Sequence, residues 1–166
     1  MQRIAFKAFL TAMTAASVVC ASASAQGQTP AACSFLSNAD AEKVTGRHLY
    51  TDPDQTSLAD AGSACTFDIA QVILFSGDRS EERWTAYVKR WGHGDEPRLP
   101  VSGLGDRAYV FYPKPRDQYE GVHAVVVVRV GQHTIGVSVE AEEGQPAESV
   151  RPQAIALARM VAAKLR

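Results

Sequence analysis

The chain of 166 residues has no excess of charge of either sign, because 17 lysines and arginines stand against 18 aspartates and glutamates and leave a net charge of −1. A nucleic-acid-binding protein needs a clustered basic face to contact phosphates. The composition therefore predicts no nucleic-acid partner. Charged residues at 21% and apolar residues at 46% are ordinary values for a globular domain and exclude wholesale disorder.

The N-terminal region lacks the length of a membrane span. Its uncharged, mostly apolar stretch covers residues 8–19, whereas a transmembrane helix needs about 20 residues. The stretch follows Arg3 and Lys7 and precedes three small residues, which is the order of a secretory signal peptide. We therefore predict that residues 1–25 are a signal peptide cleaved after Ala25, and that the protein is periplasmic or secreted.

Cys20, within this leader, raises the alternative of a lipoprotein with lipid on the cysteine sulfur. Lipoprotein signals favour a small residue immediately before the cysteine, and here the bulky, β-branched Val19 occupies that position. The sequence therefore favours cleavage after Ala25 over lipidation at Cys20. In the mature chain no transmembrane segment is predicted.

Cysteine is scarce, since the chain has three. Outside the leader Cys33 and Cys65 remain, and an even pair in an exported chain favours a disulfide because the compartment is oxidising. A thiol nucleophile or a metal site is less well supported, because the two cysteines have neither a CxxC spacing nor a nearby histidine. We expect a structural disulfide between them.

The sequence contains no GxSxG, HExxH, P-loop or EF-hand motif. Gly103 and Gly105 form a GxG, but they have no third glycine and no strand-then-helix setting, so they do not indicate a dinucleotide site. His93, Asp95 and Glu96 lie together in one loop, where neighbouring positions rarely converge on one ion. We therefore predict no metal and no cofactor.

His123 and Glu140 are the best-placed pair for acid–base chemistry, because the hairpin predicted below sets them opposite each other. No nucleophile is evident beside them, and a His–Glu pair at a strand end is common on protein surfaces. We assign no catalytic residue. A small periplasmic hydrolase that uses this pair remains an alternative to a binding protein.

Three segments predict helices. Ser37 and Asp40 form a capping box at the start of a short helix over residues 38–45. Residues 81–91 and 152–165 each repeat apolar residues every three or four positions. We expect the apolar face of the second helix to pack in the core. That face consists of Trp84, Tyr87, Val88 and Trp91.

Runs rich in β-forming residues predict about five strands. Residues 51–64 and 98–105 are rich in turn-forming residues and are predicted to be loops. The runs over 65–68 and 71–75 form one bent strand, or two strands joined by a tight turn. The other predicted strands lie at residues 48–50, at residues 108–112 and in a hairpin over residues 123–140.

The hairpin is the best-defined element of the sequence. Gly131 and Gln132 suit a two-residue type II′ turn, which pairs Val130 with His133 and so fixes the register of both strands. Directly opposed residues share a sheet face. One face is wholly apolar and is predicted to be buried. That face consists of Val126, Val128, Val130, Ile135, Val137 and Val139.

The other face of the hairpin is mixed in polarity. A face of this kind is either partly covered by another helix or used as a binding surface. Its opposed pairs are Arg129 with Thr134, Val127 with Gly136, Val125 with Ser138, and His123 with Glu140.

Together these elements predict an α+β fold, with a curved, mainly antiparallel sheet of about five strands, three flanking helices and one disulfide. Residues 26–32 are small and polar and are predicted to be a disordered lead-in. Residues 33–166 are long enough for a single domain with a real core and too short for two domains of ordinary size.

The succession of CSFLSNADAEKVTG, then CTF roughly thirty residues later, then GLGDRAYV, a hairpin and a C-terminal helix resembles small exported bacterial domains of unknown function. These include actinobacterial lipoprotein domains with a PsbP/Mog1-like α/β/α sandwich, although this chain lacks their lipidation signal. The resemblance implies that Cys33 and Cys65 form the bridge, and that Gly103, Gly105 and Asp106 form a turn into a central strand. It implies no catalytic residue.

We therefore expect an exported, non-catalytic binding domain of the bacterial envelope, with a protein partner or a small ligand in the periplasm. An envelope-stress or structural factor is a further alternative. The expected binding surface combines the mixed hairpin face with the loop over residues 113–120, whose prolines limit the entropy lost on contact. Its candidate residues are Arg116, Tyr119, His123, Arg129, Thr134, Ser138 and Glu140.

Overall fold

The computed structural model describes residues 30–59, 62–90, 94–117 and 120–166, so the predicted signal peptide lies outside the described residues. The helices are α1 (Asn38–Thr45), α2 (Ser80–Arg90) and α3 (Arg151–Lys164). The strands are β1 (Asp54–Leu58), β2 (Gly62–Thr66), β3 (Ala70–Ser76), β4 (Leu99–Pro100), β5 (Arg107–Phe111), β6 (His123–Val130) and β7 (His133–Glu140).

The strands form one antiparallel sheet in the order β1-β2-β3-β7-β6-β5-β4. Helices α1 and α3 pack together on one face of the sheet, where α3 contacts β6 and β7. Helix α2 contacts β3 and β7 on the other face. The larger core lies between α3 and the sheet, and a smaller core that contains Trp84 and Val88 lies under α2. Within the described part of the chain, every helix is too short or too polar to cross a bilayer.

The α+β class and the antiparallel sheet are confirmed, but the sheet has seven strands and not about five. Strands β1 and β4 form at the two edges, within segments predicted to be loops. Strand β1 is polar and almost wholly exposed, and β4 has two residues, so neither has the alternating burial that a sequence pattern can reveal.

Residues 48–50 were predicted to be a strand, and this prediction is wrong. The backbone amide of Leu49 donates to Glu42 Oε1 at 2.9 Å, and that of Tyr50 donates to Asp68 Oδ2 at 2.7 Å. Side-chain carboxylates therefore satisfy these amides, and no neighbouring strand is needed to accept from them.

The three predicted helices are confirmed. Ser37 and Asp40 form the expected capping box of α1: the Ser37 amide donates to Asp40 Oδ2 at 3.2 Å, and the Asp40 amide donates to Ser37 Oγ at 3.1 Å. The Ser37 amide first, and then its hydroxyl, lower the pKa of the Asp40 carboxyl. Helices α2 and α3 begin one residue before their predicted starts, and α3 ends one residue before its predicted end. Trp84 and Val88 are buried, Tyr87 is half-buried, and Trp91 lies outside the described residues.

The predicted register of the hairpin is confirmed, from Val130 opposite His133 at the turn to His123 opposite Glu140 at the other end. Gly131 has the positive φ of 53° that the first turn position requires. The face predicted to be buried is at most 6% exposed at every residue and packs against α3.

The predicted disulfide between Cys33 and Cys65 is present. It joins a single turn of 3-10 helix, Ala32–Ser34, to β2. Ala32, the last residue of the predicted lead-in, is buried against the core.

The turn that contains Gly103 and Gly105 leads into β5, the second strand from the sheet edge and not a central one. Gly105 has φ of 63°, and a Cβ there would overlap the carbonyl oxygen of Arg129. That carbonyl accepts from the backbone amide of Asp106 at 2.7 Å, and Asp106 Oδ2 accepts from the backbone amide of Gly131 at 2.7 Å. The turn is therefore bound closely to the hairpin.

Candidate functional site

The mixed face of the hairpin is half covered by α2. The Trp84 ring lies directly over Gly136 in β7, so closely that a Cβ at position 136 would overlap the ring. Trp84 Nε1 donates to the Tyr109 hydroxyl at 3.2 Å, which fixes the ring over the sheet. The helix therefore covers the turn end of the hairpin and leaves the opposite end open.

Arg129 and Thr134 lie at the covered end, beneath the first turn of α2. Arg129 Nη1 donates to Ser80 Oγ at 2.6 Å, and Arg129 Nε donates to the carbonyl of Gly131 at 2.6 Å. The Thr134 hydroxyl is buried and donates to Ser80 Oγ at 3.2 Å. The polar groups of these two residues are thus used within the fold to hold α2 on the sheet.

His133, at the same end, gives the protein a pH-dependent stability. Its Nδ1 lies 2.8 Å from Ser76 Oγ, and burial, with a smaller contribution from the Arg129 charge, lowers the pKa of His133 below its ordinary 6.5. The unfolded chain binds the proton more readily, so this contribution to stability is complete above about pH 6.5 and is lost as the pH falls through the lower folded pKa.

We expect the wild type to lose more thermal stability between about pH 7.5 and about pH 5 than the variant His133→Asn, which keeps a polar group for Ser76. Thermal unfolding followed by circular dichroism at the two pH values measures the difference. Equal losses in both proteins would show that His133 does not titrate differently on folding.

The open end of the mixed face forms a cleft with a volume of about 420 Å³. Its floor is the row of opposed residues Gln71, Ser138 and Val125, flanked by His123 and Glu140. One end wall is the later part of α2. The turn over residues 67–69 and the loop after β5 form the two sides, and the apolar lining includes Ile73, Trp84, Tyr87, Val88 and Phe111.

The side walls of the cleft carry charged groups that are engaged within the protein. Arg116 Nε lies 3.3 Å from Glu120 Oε2, so this guanidinium and carboxylate offset each other. Asp68 accepts from the amide of Tyr50 and from the Thr51 hydroxyl, and these hydrogen bonds, the hydroxyl first, lower the pKa of Asp68. Asp68 therefore carries a negative charge at neutral pH.

His123 and Glu140 face each other across β6 and β7 as predicted, but no hydrogen bond joins their side chains among the residues that the structure describes. The Glu140 carboxylate packs against Gly121, where a Cβ would overlap it. Ser138 shares this face two positions before Glu140, and its hydroxyl is likewise not hydrogen-bonded to His123 in the described part of the chain. Acid–base catalysis by this pair would need nucleophile and base within hydrogen-bond reach of each other.

The cleft brings together four of the predicted surface residues, Arg116, His123, Ser138 and Glu140, while Arg129 and Thr134 line a separate, much smaller hollow of about 20 Å³. Tyr119 lies outside the described residues. Two residues that line the cleft were not predicted: Gln71 was placed in a strand without a role, and Tyr87 was assigned to the core. Partial burial raises the pKa of the Tyr87 hydroxyl.

Among the described residues, no three histidine, cysteine, aspartate or glutamate side chains lie close enough together to hold a metal ion, and His93 is outside that set. The protein is an antiparallel α+β domain with helices on both faces of its sheet, and the open end of the mixed face forms the cleft described above. Comparisons with protein-family models, with curated proteins and with solved structures gave no match. The resemblance to PsbP/Mog1-like exported domains stays a prediction.

Proposed function

We propose that the protein is an exported, non-catalytic binding domain of the bacterial envelope that holds a small ligand in its cleft. The observation that carries this proposal is the open end of the mixed face, where a cavity of about 420 Å³ has apolar walls and a few polar side chains on its floor. Ligand sites are typically clefts of about 300–1,000 Å³ with such a lining. The cleft is large enough for one small organic molecule.

Export is supported by the leader-like N-terminus and by the disulfide between Cys33 and Cys65. Disulfides persist in oxidising compartments and are rare in the cytosol of ordinary bacteria. A hydrolase that uses His123 and Glu140 would cleave its substrate in this same cleft. A ligand that is recovered intact from the cleft therefore supports binding over hydrolysis. A structural or envelope-stress factor would need no ligand there.

We expect the protein isolated from the envelope of its own host to begin at Gln26 and to retain a small-molecule adduct, because a cleft of about 420 Å³ has the volume of a small-molecule site. In the variant Ser138→Phe, an aromatic ring rises from the centre of the cleft floor and the adduct should be lost. Native mass spectrometry of both proteins measures retention directly.

Ser102→Phe is the matched control, since it places the same ring on an exposed turn away from the cleft. The proposal requires that this control keep the adduct. A wild-type protein that carries no adduct, or an adduct or partner protein that Ser138→Phe retains in full, would contradict ligand binding in the cleft.

A further inference from the structure

The charge of the cleft is negative once its internal pairs are taken into account. The Arg116 guanidinium and the Glu120 carboxylate offset each other. Asp68 and Glu140 then remain, and His123 is the other titratable side chain beside Glu140. Low-dielectric walls concentrate such a field and raise the local concentration of cations. The cleft therefore attracts a positively charged ligand more than a negatively charged one.

The Glu140 carboxylate is the group best placed to receive that charge. It reaches the cleft from the end of β7, is half-buried, and has no hydrogen-bond donor among the described residues. The Arg47 side chain contacts the main chain of Glu140, since Arg47 Nη1 donates to the Glu140 carbonyl at 2.8 Å. Arg47 lines a different hollow together with Gln145 and Gln153, and in the described part of the chain no ion pair joins its guanidinium to the Glu140 carboxylate.

The apolar wall of the cleft suits the body of such a ligand. Tyr87 is the half-buried aromatic residue of this wall, and its ring stacks on Trp84 with centroids 5.9 Å apart. Val88 of α2 and Ile73 of β3 also line the cleft. An aromatic or aliphatic group buries apolar area here, and the negative face of an aromatic ring also attracts a nearby cation.

We propose that the ligand of the cleft is a small organic amine with an apolar body, whose ammonium group contacts the Glu140 carboxylate while the body lies against Tyr87 and Val88. This inference rests on the proposed function, since it names the ligand class of the same cleft. It goes further because it excludes carboxylates and other anions as ligands and assigns specificity to a single side chain.

The test compares three probes that share a phenyl ring and a two-carbon linker: 2-phenylethylamine, 2-phenylethanol and 3-phenylpropionate. Each is titrated into the processed, disulfide-bonded protein and followed by the amide signals of Tyr87, Val125 and Ser138 in two-dimensional NMR spectra. The amine is expected to bind about tenfold more tightly than the alcohol, and the carboxylate more weakly than either, because a hydrogen bond to a charged group is worth more than a neutral one.

The variant Glu140→Gln keeps the shape of the side chain and is expected to weaken the amine about tenfold, to the affinity of the alcohol. Glu143→Gln makes the same change of charge at an exposed position outside the cleft and should leave the affinity within about twofold. A carboxylate or alcohol that binds as tightly as the amine and moves the same signals overturns the amine assignment alone. If no probe moves these signals, the amine assignment fails, and the proposed function is then decided separately by whether the native protein retains an adduct that Ser138→Phe loses.

Discussion

Substituting Gly136 by valine is expected to lower the free energy of unfolding by about 3 kcal/mol. On strand propensity alone the same change would stabilise β7, because valine favours strands and glycine weakens them. The direction is reversed here because Trp84 occupies the space that a side chain at position 136 would need. A Cβ at that position would overlap the ring atoms Cη2 and Cζ3 of Trp84. Chemical denaturation of the wild type and the variant measures the loss.

The ring of Trp84 can be tested as the cause of that loss. Trp84→Phe removes the outer atoms of the indole that lie over Gly136. In this background, Gly136→Val is expected to cost much less than in the wild type, since residues in contact give non-additive effects. Gly94→Ala serves as the control for adding a methyl group, because no atom lies within 4 Å of a Cβ at that position. Additive losses in the double variant would show that the ring is not the obstacle.

The close approach of Trp84 to Gly136 also determines where the cleft lies. Gly136 is the glycine within the two hairpin strands, and the Trp84 ring packs on it. This contact holds α2 near the turn and leaves His123 and Glu140 at the uncovered end of the hairpin. Larger residues at 136 would lift the helix from the sheet and change the wall of the cleft. We therefore expect Gly136→Val to reduce ligand retention as well as stability, even though residue 136 contributes little contact area of its own.

The hairpin could be predicted from the sequence to the residue, because both of its determinants are local. The turn at Gly131 fixes which residues face each other, and strict alternation shows which face is buried. The capping box of α1 is local in the same way, since Ser37 and Asp40 satisfy each other's backbone amides within one turn. Predictions of this kind need no knowledge of the rest of the fold.

The edge strands could not be predicted, because what holds them is not in their own sequence. Strand β1 is polar and exposed, and it exists because β2 offers it a row of backbone hydrogen bonds. Leu49 and Tyr50 show the converse case, since side chains of Glu42 and Asp68 compete successfully for their amides. In both cases a partner distant in the sequence decides the conformation.

The candidate site could be predicted in part for a related reason. The sequence identifies the mixed face of the hairpin but does not show which end α2 covers, so Arg129 and Thr134 were grouped with His123 and Glu140. A signal for the covered end was present: a lone glycine inside a strand often marks the close approach of another group, and Gly136 lies nearer to the turn. Combined with the large ring of Trp84 on the neighbouring helix, this glycine indicates the contact.

Reducing the disulfide between Cys33 and Cys65 is expected to lower the free energy of unfolding by about 3–4 kcal/mol, which is the loop entropy of a bridge between residues 32 apart in sequence. The loop contains α1 and β1, and both of these elements are short and polar. Since both elements bury little apolar surface, the cross-link to β2 is a covalent constraint that keeps them close to the sheet.

The effect of the bridge should also be local. Hydrogen exchange is expected to accelerate in α1 and β1 on reduction, and to change little in β6 and β7, whose apolar face packs on α3. The double variant Cys33→Ala, Cys65→Ala is the control, because its stability must not respond to the reductant. Asp68 receives hydrogen bonds from Tyr50 and Thr51, inside this loop, so loosening the loop also loosens one side of the cleft. A reduced protein with unchanged exchange in α1 and β1 and unchanged ligand affinity would show that packing alone holds this side in place.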